Sequence, residues 1–300
     1  MSTEETVCSL CAACPRACGV DREKAVGYCL QTNEIRVSRA APHYWEEPCL
    51  SGERGSGTVF FVGCNLRCVY CQNREISRGR VGKTVSPDRL LEIFFELREK
   101  GVHNINLVTP THFAVGLIPV LQKAKEMGLE LPIVYNCGGY ESVGTLRRLD
   151  GLVDIYLPDF KYMSKARAEK YSHAADYPEV AKKAVAEMVR QTGTPVYGED
   201  GMMKRGTVVR HLVLPGGLLD SKSVLRYLYR TYGDKIIISI MSQYTPMPDV
   251  PFPELARKLT EAEYDEIIRF AVDEGITNAY MQEGEAAEES FIPPFDLTGV

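Results

Sequence analysis

The sequence predicts an α/β protein built as a partial (β/α)6 TIM-type barrel with a cysteine-rich N-terminal extension. After residue 57, short apolar runs alternate with helical patterns six times, and a seventh apolar run follows the last helix. Each run is apolar along its length, which is typical of parallel strands covered by helices. Five of the ten cysteines lie within the first thirty residues, so the N-terminal segment differs chemically from the rest.

The predicted strands follow one another at regular intervals: TVFFVG (58–63), NINLVT, PIVYN, LVDIYLPDF, VVRHLVLP, IIISIMSQY and ITNAYMQ. The helices between them are predicted over 86–101, 112–127, 142–149, 178–191, 220–232 and 260–275. Ser86 is expected to cap the first helix, with Pro87 at its first position. Asp220 is expected to cap the fifth helix. Thr260 and Glu263 form a capping box at the sixth.

Six or more such units favour a barrel over a small open sheet, although a doubly wound sheet is the alternative. In both architectures ligands bind at the carboxyl ends of the strands. Polar clusters follow six of the predicted strands: CNLRCVYCQN, TPTH, NCGGYE, PDFK, PGG and SQYTP. We therefore expect these clusters to meet at one rim.

Composition narrows the functional classes. The chain has 300 residues, a net charge of −5 and a pI near 5.7, which give no electrostatic reason to expect a nucleic acid or a membrane partner. No apolar run is long enough to span a bilayer, and the polar N-terminus lacks a secretory signal. We therefore expect a cytoplasmic protein, in which ten cysteines indicate metal ligands rather than disulfides. Two domains are predicted, a metal-binding segment over 1–50 and the barrel over 51–300.

Cys64, Cys68 and Cys71 form a C-x3-C-x2-C motif directly after the first predicted strand. Thiolates suit zinc or iron–sulfur clusters. A structural zinc site usually takes four protein ligands, whereas a [4Fe-4S] cluster held by three cysteines keeps one iron open for a further ligand. The alternatives are three buried thiols, or a zinc site completed by Cys137 or a histidine.

A second cysteine group has the spacing C-x2-C-x3-C-x10-C through Cys11, Cys14, Cys18 and Cys29, and Cys8 offers another register. Four thiolates satisfy zinc or an auxiliary iron–sulfur cluster. A segment this short has little core of its own, so a metal would supply folding energy. The spacing is not that of ferredoxins, which favours zinc. The alternative is a disordered tail with free thiols.

The triplet, with Tyr70 before its last cysteine, resembles the signature of the radical S-adenosylmethionine (SAM) superfamily. The stretch WEEPCLSGERGSGTVFFVGCNLRCVYCQN, together with YNCGGYE, DIYLPDFKY and RHLVLPG, is similar to pyruvate formate-lyase-activating-enzyme-like iron–sulfur proteins (PflX-type). This resemblance implies a [4Fe-4S] cluster that chelates SAM through its open iron. A reduced flavodoxin or ferredoxin would supply one electron, and the resulting 5′-deoxyadenosyl radical would abstract a hydrogen atom from the substrate.

The resemblance also implies roles for polar residues at the rim. Members of the superfamily hold the methionine part of SAM in the loop after the second strand, where this chain has Thr109, Thr111 and His112. Asn136 follows the third strand. The glycyl-radical activases carry an Asp-x-Lys motif, matched by Asp159 and Lys161, and an arginine near the cofactor, matched by Arg210. All seven are expected to bind the cofactor: Thr109, Thr111, His112, Asn136, Asp159, Lys161 and Arg210.

Asp159, Lys161 and Arg210 are also the expected catalytic residues. The alternatives are a solvated turn pair for the first two and a structural salt bridge for Arg210.

Three functions are compatible with these features. The first is an activase that takes hydrogen from a glycine of a partner enzyme. The second is a radical enzyme that modifies a small metabolite, a peptide or RNA. The third is a non-catalytic iron–sulfur or electron-transfer protein, which would not cleave SAM.

Overall fold

The computed structural model describes residues 10–281 and 292–300, so Cys8 and Gln282, the end of the last predicted strand, lie outside it. The strands are β1 Arg36–His43, β2 Ser56–Phe61, β3 Lys83–Thr84, β4 Ile105–Val108, β5 Ile133–Cys137, β6 Ile155–Pro158, β7 Val196–Tyr197, β8 Met203–Leu212, β9 Ile237–Met241 and β10 Ala279–Met281. The helices are α1 Pro48–Ser51, α2 Arg74–Ser77, α3 Pro87–Glu99, α4 Ala114–Glu126, α5 Val143–Arg148, α6 Lys165–Ser172, α7 Tyr177–Thr192, α8 Leu218–Tyr232 and α9 Glu261–Asp273. Short 3-10 helices cover Gly233–Lys235 and Pro253–Leu255.

The strands form one curved sheet in the order β10-β9-β8-β6-β5-β4-β2-β1-β3, and β7 pairs with β8. The pairs that join β2, β4, β5, β6, β8, β9 and β10 are all parallel. β1 runs antiparallel to both β2 and β3, and β7 runs antiparallel to β8. The seven parallel strands correspond to the seven predicted runs. The predicted partial barrel is confirmed, since β10 and β3 form opposite edges of a sheet that does not close.

Successive side chains along each strand alternate between two environments, the helix layer outside the sheet and the barrel interior. In β4, Ile105 and Leu107 pack toward the helices in a core with Leu90 and Phe94 of α3. Neighbouring residues of a strand face opposite sides, so Asn106 and Val108 face the interior of the barrel. The interior surfaces of the sheet therefore carry the residues that can meet a ligand.

Helix α1 closes the barrel interior at the amino ends of the parallel strands. Cys49 and Leu50 of this helix pack with strand residues that point inward: Val134, Ile155, Leu157, Met203, Val208 and Ile237. The Asn104 side chain donates a hydrogen bond of 2.8 Å to the carbonyl oxygen of Leu50 and holds the helix in place. Apolar packing thus fills the amino ends of the strands, and polar residues occupy the carboxyl ends.

Two of the three predicted caps are confirmed. The Ser86 hydroxyl accepts a hydrogen bond from the backbone N–H of Arg89, and Thr260 and Glu263 form the capping box of α9. The prediction for Asp220 is wrong, because α8 begins two residues earlier at Leu218. The Asp220 carboxylate instead accepts hydrogen bonds from the backbone N–H groups of Met163 and Ser164, at 3.1 and 2.7 Å.

The segment before the first parallel strand is part of the sheet. β1 lies within the predicted segment 1–50 and pairs with β2 along its length. The C-terminal residues continue this edge, since Ala40 donates to the Thr298 carbonyl and Leu297 donates to the Ser38 carbonyl. Within residues 10–281 and 292–300, no helix is long and apolar enough to cross a membrane.

Candidate active site

The carboxyl ends of the parallel strands surround a cavity with a volume of about 240 Å³. Eight of the residues predicted from the sequence line it: Cys64, Cys68, Cys71, Thr109, Asn136, Asp159, Lys161 and Arg210. The cysteine triplet comes from the loop after β2, and the other five come from β4, β5, β6 and β8 or the positions that directly follow them. The structure therefore brings the triplet and the polar rim residues to one site.

The triplet occupies one wall of the cavity. Burial, together with the nearby thiols of Cys68 and Cys71, raises the pKa of the Cys64 thiol to about 12. The Cys68 sulfur lies 2.9 Å from the Ser172 hydroxyl, and the backbone N–H of Leu66 points at the Cys64 sulfur at 3.3 Å. These hydrogen-bond donors would stabilise thiolates, which are the form that binds iron.

The triplet is not arranged as a site for a single metal ion. In the part of the chain that the structure describes, no three Cys, His, Asp or Glu side chains surround a point that would hold one metal ion. A [4Fe-4S] cluster has a different requirement, because each thiolate binds its own iron. Cys137 lines the same cavity, but its thiol donates to the Glu141 carboxylate instead of completing the triplet.

A buried network of charges forms the floor of the cavity. The Arg210 guanidinium donates to Asp159 at 2.9 Å, to Glu46 at 3.2 Å and to the Asn136 side-chain oxygen at 2.6 Å. The Asn136 amide in turn donates to Glu46 at 3.1 Å, as does the amide of Asn106. The network thus joins β4, β5, β6 and β8 to the segment that precedes α1.

Charge pairing sets the protonation states of this network. Burial alone would raise the pKa of Asp159, but the neighbouring Arg210 and Lys161 outweigh it and hold the pKa below its ordinary value. Burial raises the pKa of Glu46, and Arg210 opposes that shift. Burial also raises the pKa of the adjacent Glu47 to about 6. Arg210 is therefore the main partner of several buried carboxyl groups.

Lys161 connects the floor to the triplet. Its ammonium group lies 2.6 Å from Asp159 and is close enough to the Cys68 side chain to interact with it electrostatically. Burial favours the neutral amine, yet Asp159 and Cys68 outweigh it and raise the pKa of Lys161 well above its ordinary value. The backbone N–H of Lys161 donates to the Tyr177 hydroxyl at 2.9 Å, which fixes the start of the side chain. The cavity therefore contains a positioned cation beside the triplet.

Thr111 and His112 lie away from the cavity, although both belong to the predicted rim loop. The Thr111 hydroxyl donates to Glu141 at 2.7 Å, and the Tyr135 hydroxyl donates to the same carboxylate at 3.1 Å. Burial raises the pKa of Glu141 to about 7. The His112 ring lies 2.7 Å from the Val62 carbonyl, and burial lowers its pKa to about 3. The cofactor roles of Thr111 and His112 stay predictions.

Glu46 was not identified from the sequence. It lies in WEEP (45–48), where two glutamates followed by a proline indicate an exposed linker. It is buried because β1 pairs with β2 and directs the following residues into the barrel interior. The burial of Glu46 could be inferred only from several residues taken together. Asn106 and Arg210 both face the barrel interior, and each requires a polar partner there.

A model of the radical SAM superfamily matches residues 58–216, more than half of the chain. The chain belongs to the radical SAM superfamily. Membership implies a [4Fe-4S] cluster and SAM, and the matched residues contain the triplet together with Asn136, Asp159, Lys161 and Arg210. Radical SAM proteins take their electrons from flavodoxin or ferredoxin.

Two further comparisons give a relative of this chain and a solved structure with the same fold. The uncharacterized protein MJ0674 of Methanocaldococcus jannaschii is 28% identical over 272 residues, which are 87% of this chain and 74% of that protein. Streptococcus suis SuiB bound to its precursor peptide SuiA has the same fold, with a TM-score of 0.50 at 10% identity over 74% of this chain. The chain spans about half of the length of SuiB, since it covers 47% of it.

A domain of pyruvate-formate lyase-activating enzyme from Bacteroides vulgatus has a TM-score of 0.40 at 13% identity, over 57% of this chain and 91% of that domain. This likeness is too slight to bear on the substrate. The family model confirms the superfamily predicted from the triplet, and the activase-like subtype stays a prediction.

Proposed function

We propose that this protein cleaves SAM at a cluster held by Cys64, Cys68 and Cys71 and removes a hydrogen atom from a carbon of a polypeptide. A glycine of a partner enzyme is the first candidate, because the sequence motifs resemble those of the activases. The proposal is carried by one observation, the presence of the triplet and the Lys161–Asp159–Arg210 network in the same cavity. A reduced flavodoxin or ferredoxin is the proposed electron donor.

The roles of the protein residues follow from their positions. When bound, the cluster and SAM supply a 5′-deoxyadenosyl radical, and the protein orients it and excludes water. Lys161 presents a cation beside Cys68, where it complements a carboxylate such as that of the methionine part of SAM. Asp159 holds this ammonium at 2.6 Å, and Arg210 holds Asp159. Lys161 is thus the binding residue, and Asp159 and Arg210 position it.

The surroundings of the cavity favour a polypeptide over a small metabolite. His43, Trp45 and Pro293 line one side of it, and Trp45 is 59% exposed. The neighbouring Tyr44 is 55% exposed. An exposed tryptophan beside a cavity is typical of surfaces that bind protein partners. The net charge of −5 disfavours RNA, the remaining macromolecular alternative.

The proposal is tested with protein reconstituted anaerobically with iron and sulfide, then mixed with SAM, a chemical reductant and a glycyl-radical enzyme of the same host. We expect 5′-deoxyadenosine to form, and a glycyl-radical doublet to appear in the partner by electron paramagnetic resonance (EPR). Deuterium at the partner's glycine carbon should be transferred to the 5′-deoxyadenosine. A protein that only transfers electrons would form no 5′-deoxyadenosine. A host that encodes no glycyl-radical enzyme would contradict the activase role but not SAM cleavage.

Lys161→Ala is expected to weaken SAM binding about tenfold or more, since a charge-assisted contact contributes roughly 1.5–3 kcal/mol. Iron content should not change, because Lys161 is not a ligand of the cluster. Equilibrium binding of SAM to the reconstituted protein measures the effect. Lys222→Ala is the matched control, since Lys222 forms an ion pair with Glu266 on the outer surface. An unchanged affinity in the Lys161 variant would reduce the pair with Asp159 to a structural role.

A further inference from the structure

A chain of three buried hydroxyl groups leads to the sulfur of Cys68. The Ser172 hydroxyl lies 2.9 Å from this sulfur. The Tyr162 hydroxyl lies 2.8 Å from the Ser172 hydroxyl and 2.6 Å from the hydroxyl of Tyr70. All three residues are buried. We call Ser172, Tyr162 and Tyr70 the hydroxyl chain, and it connects one member of the triplet to the core behind it.

Backbone contacts hold the end of α6, which carries Ser172, against the loop that carries the triplet. The backbone N–H of Val69 donates to the Tyr171 carbonyl at 2.9 Å, directly beside Ser172. The Arg16 guanidinium donates to the Ser172 carbonyl at 3.0 Å and to the Asn65 carbonyl in the loop at 2.7 Å. The position of the Ser172 hydroxyl relative to the triplet is therefore fixed by the fold on both sides.

The number of protons in the chain fixes the direction of its hydrogen bonds when Cys68 binds iron. A free thiol can donate to Ser172, and the hydrogen bonds then run toward Tyr70, to which Tyr162 donates. A sulfur bound to iron has no proton and can only accept. The hydrogens of hydroxyl groups rotate to suit their partners. Tyr70 then donates to Tyr162, and Tyr162 donates to Ser172. Ser172 donates to the Cys68 sulfur, so each hydroxyl proton is used.

The other two cysteines of the triplet accept hydrogen bonds from nearby positions in the sequence. The backbone N–H of Leu66 points at the Cys64 sulfur at 3.3 Å, and Cys71 accepts from a hydroxyl of helix α2. Cys68 instead pairs with Ser172, which lies 104 positions away in the sequence. A substitution of Ser172 therefore removes a hydrogen bond to the triplet without altering the loop that carries it.

We propose that the hydroxyl chain raises the reduction potential of the iron–sulfur cluster, so that a flavodoxin or ferredoxin can reduce it. A hydrogen bond to a ligand sulfur stabilises the reduced cluster more than the oxidised one, because the reduced cluster carries one more negative charge. One electron converts [4Fe-4S]²⁺ to [4Fe-4S]⁺, and each hydroxyl keeps its proton. Burial strengthens the chain, since successive hydrogen bonds polarise one another where water is excluded.

Ser172, Tyr162 and Tyr70 are thus positioning residues that act through Cys68. This inference rests on the proposed function only where that function assigns the cluster to the triplet, and it is independent of the substrate.

A redox titration of the reconstituted protein, followed by the EPR signal of the reduced cluster, tests the chain. In Ser172→Ala the ratio of reduced to oxidised cluster at a fixed potential should fall about tenfold, which is a potential about 59 mV lower for a one-electron couple. Iron content should not change, because Ser172 is not a ligand of the cluster. Ser38→Ala is the matched control, since Ser38 is equally buried but belongs to β1.

Tyr162→Phe is a second variant that keeps every group in contact with Cys68. The ratio of reduced to oxidised cluster should fall about twofold, because the Ser172 hydroxyl remains but loses the donor that polarises it. Tyr156→Phe is the matched control, since the buried Tyr156 hydroxyl donates to Gln191 at 2.6 Å. The control should have the wild-type potential.

The outcomes separate this inference from the proposed function. A Ser172→Ala variant with normal iron content and the wild-type potential would overturn the role of the chain and leave the triplet assignment intact. The same holds if Ser172→Ala fails to assemble a cluster and Tyr162→Phe has the wild-type potential. A wild-type protein that assembles no [4Fe-4S] cluster would overturn both the triplet assignment and the role of the chain.

Discussion

Replacing Cys68 by alanine is expected to abolish the cleavage of SAM. Cys68 is the central and most buried member of the triplet, and its side chain faces both the cavity and the Ser172 hydroxyl. Loss of one of three thiolates leaves a second iron without a protein ligand, so the cluster should not assemble with one open site. The chemistry depends on that cluster, so no residual activity is expected from the rest of the cavity.

Two measurements, EPR of the reduced protein and the formation of 5′-deoxyadenosine, test this prediction. After anaerobic reconstitution, the reduced wild-type protein should give a [4Fe-4S]⁺ EPR signal that shifts when SAM is added, and the Cys68→Ala variant should give no such signal. Cys49→Ala is the matched control, because Cys49 is a buried thiol in α1 outside the cavity. The control should retain both the signal and the formation of 5′-deoxyadenosine. Normal cleavage by the Cys68 variant would contradict the assignment of the triplet.

Replacing Arg210 by methionine is expected to lower the free energy of unfolding by about 3–5 kcal/mol, the usual effect of removing one partner from a buried charge pair. Domains of ordinary stability unfold at a cost of about 5–15 kcal/mol, so this loss is large. The substitution leaves Glu46 and Asp159 buried without the guanidinium that holds them both. Urea denaturation measures the effect. Arg226→Met is the matched control, since the Arg226–Glu274 pair is exposed and contributes about 1 kcal/mol or less.

The loss should also depend on pH. Without Arg210, the folded-state pKa values of Glu46 and Glu47 rise further above those of the unfolded chain. The folded protein then binds more protons than the unfolded one, so its stability falls as the pH rises through these values. The Arg210→Met variant should therefore be closer to wild type at about pH 5.5 than at about pH 8. Glu46→Gln/Arg210→Met should recover part of the stability at the higher pH, and no recovery would contradict the pairing.

The sequence was sufficient to predict the parallel sheet and eight of the residues that line the cavity. Uniformly apolar strands and helix caps are local signals, and the rule that loops meet at the carboxyl ends of strands predicted that Asp159 and Lys161 lie at the rim. Arg210, identified through the resemblance, lines the same cavity. The same local signals failed for Asp220. A carboxylate near the start of a helix reads as a cap, but the backbone N–H groups of Met163 and Ser164 compete for it from a distant loop.

Glu46, in the cavity itself, also could not be predicted from local sequence patterns. Its neighbours Asn106, Asn136 and Arg210 are 60, 90 and 164 positions away in the sequence. No local pattern reports contacts over such separations. The preceding strand β1 was missed because RVSRAAPH mixes charged and apolar residues without strict alternation. Because β1 was not recognised, the residue that completes the floor was missed as well.

The barrel interior is closed at the amino ends of the strands, and this fixes the order in which molecules can bind in the cavity. Cys49 and Leu50 of α1, with the inward-facing residues of the strands, fill the passage below the charged floor. A molecule that binds at the charged floor must enter before the molecule that binds nearer the rim. It can leave only after that molecule has left. Binding to this protein should therefore be sequential rather than random, and an excess of the molecule that binds nearer the rim should trap the deeper one inside.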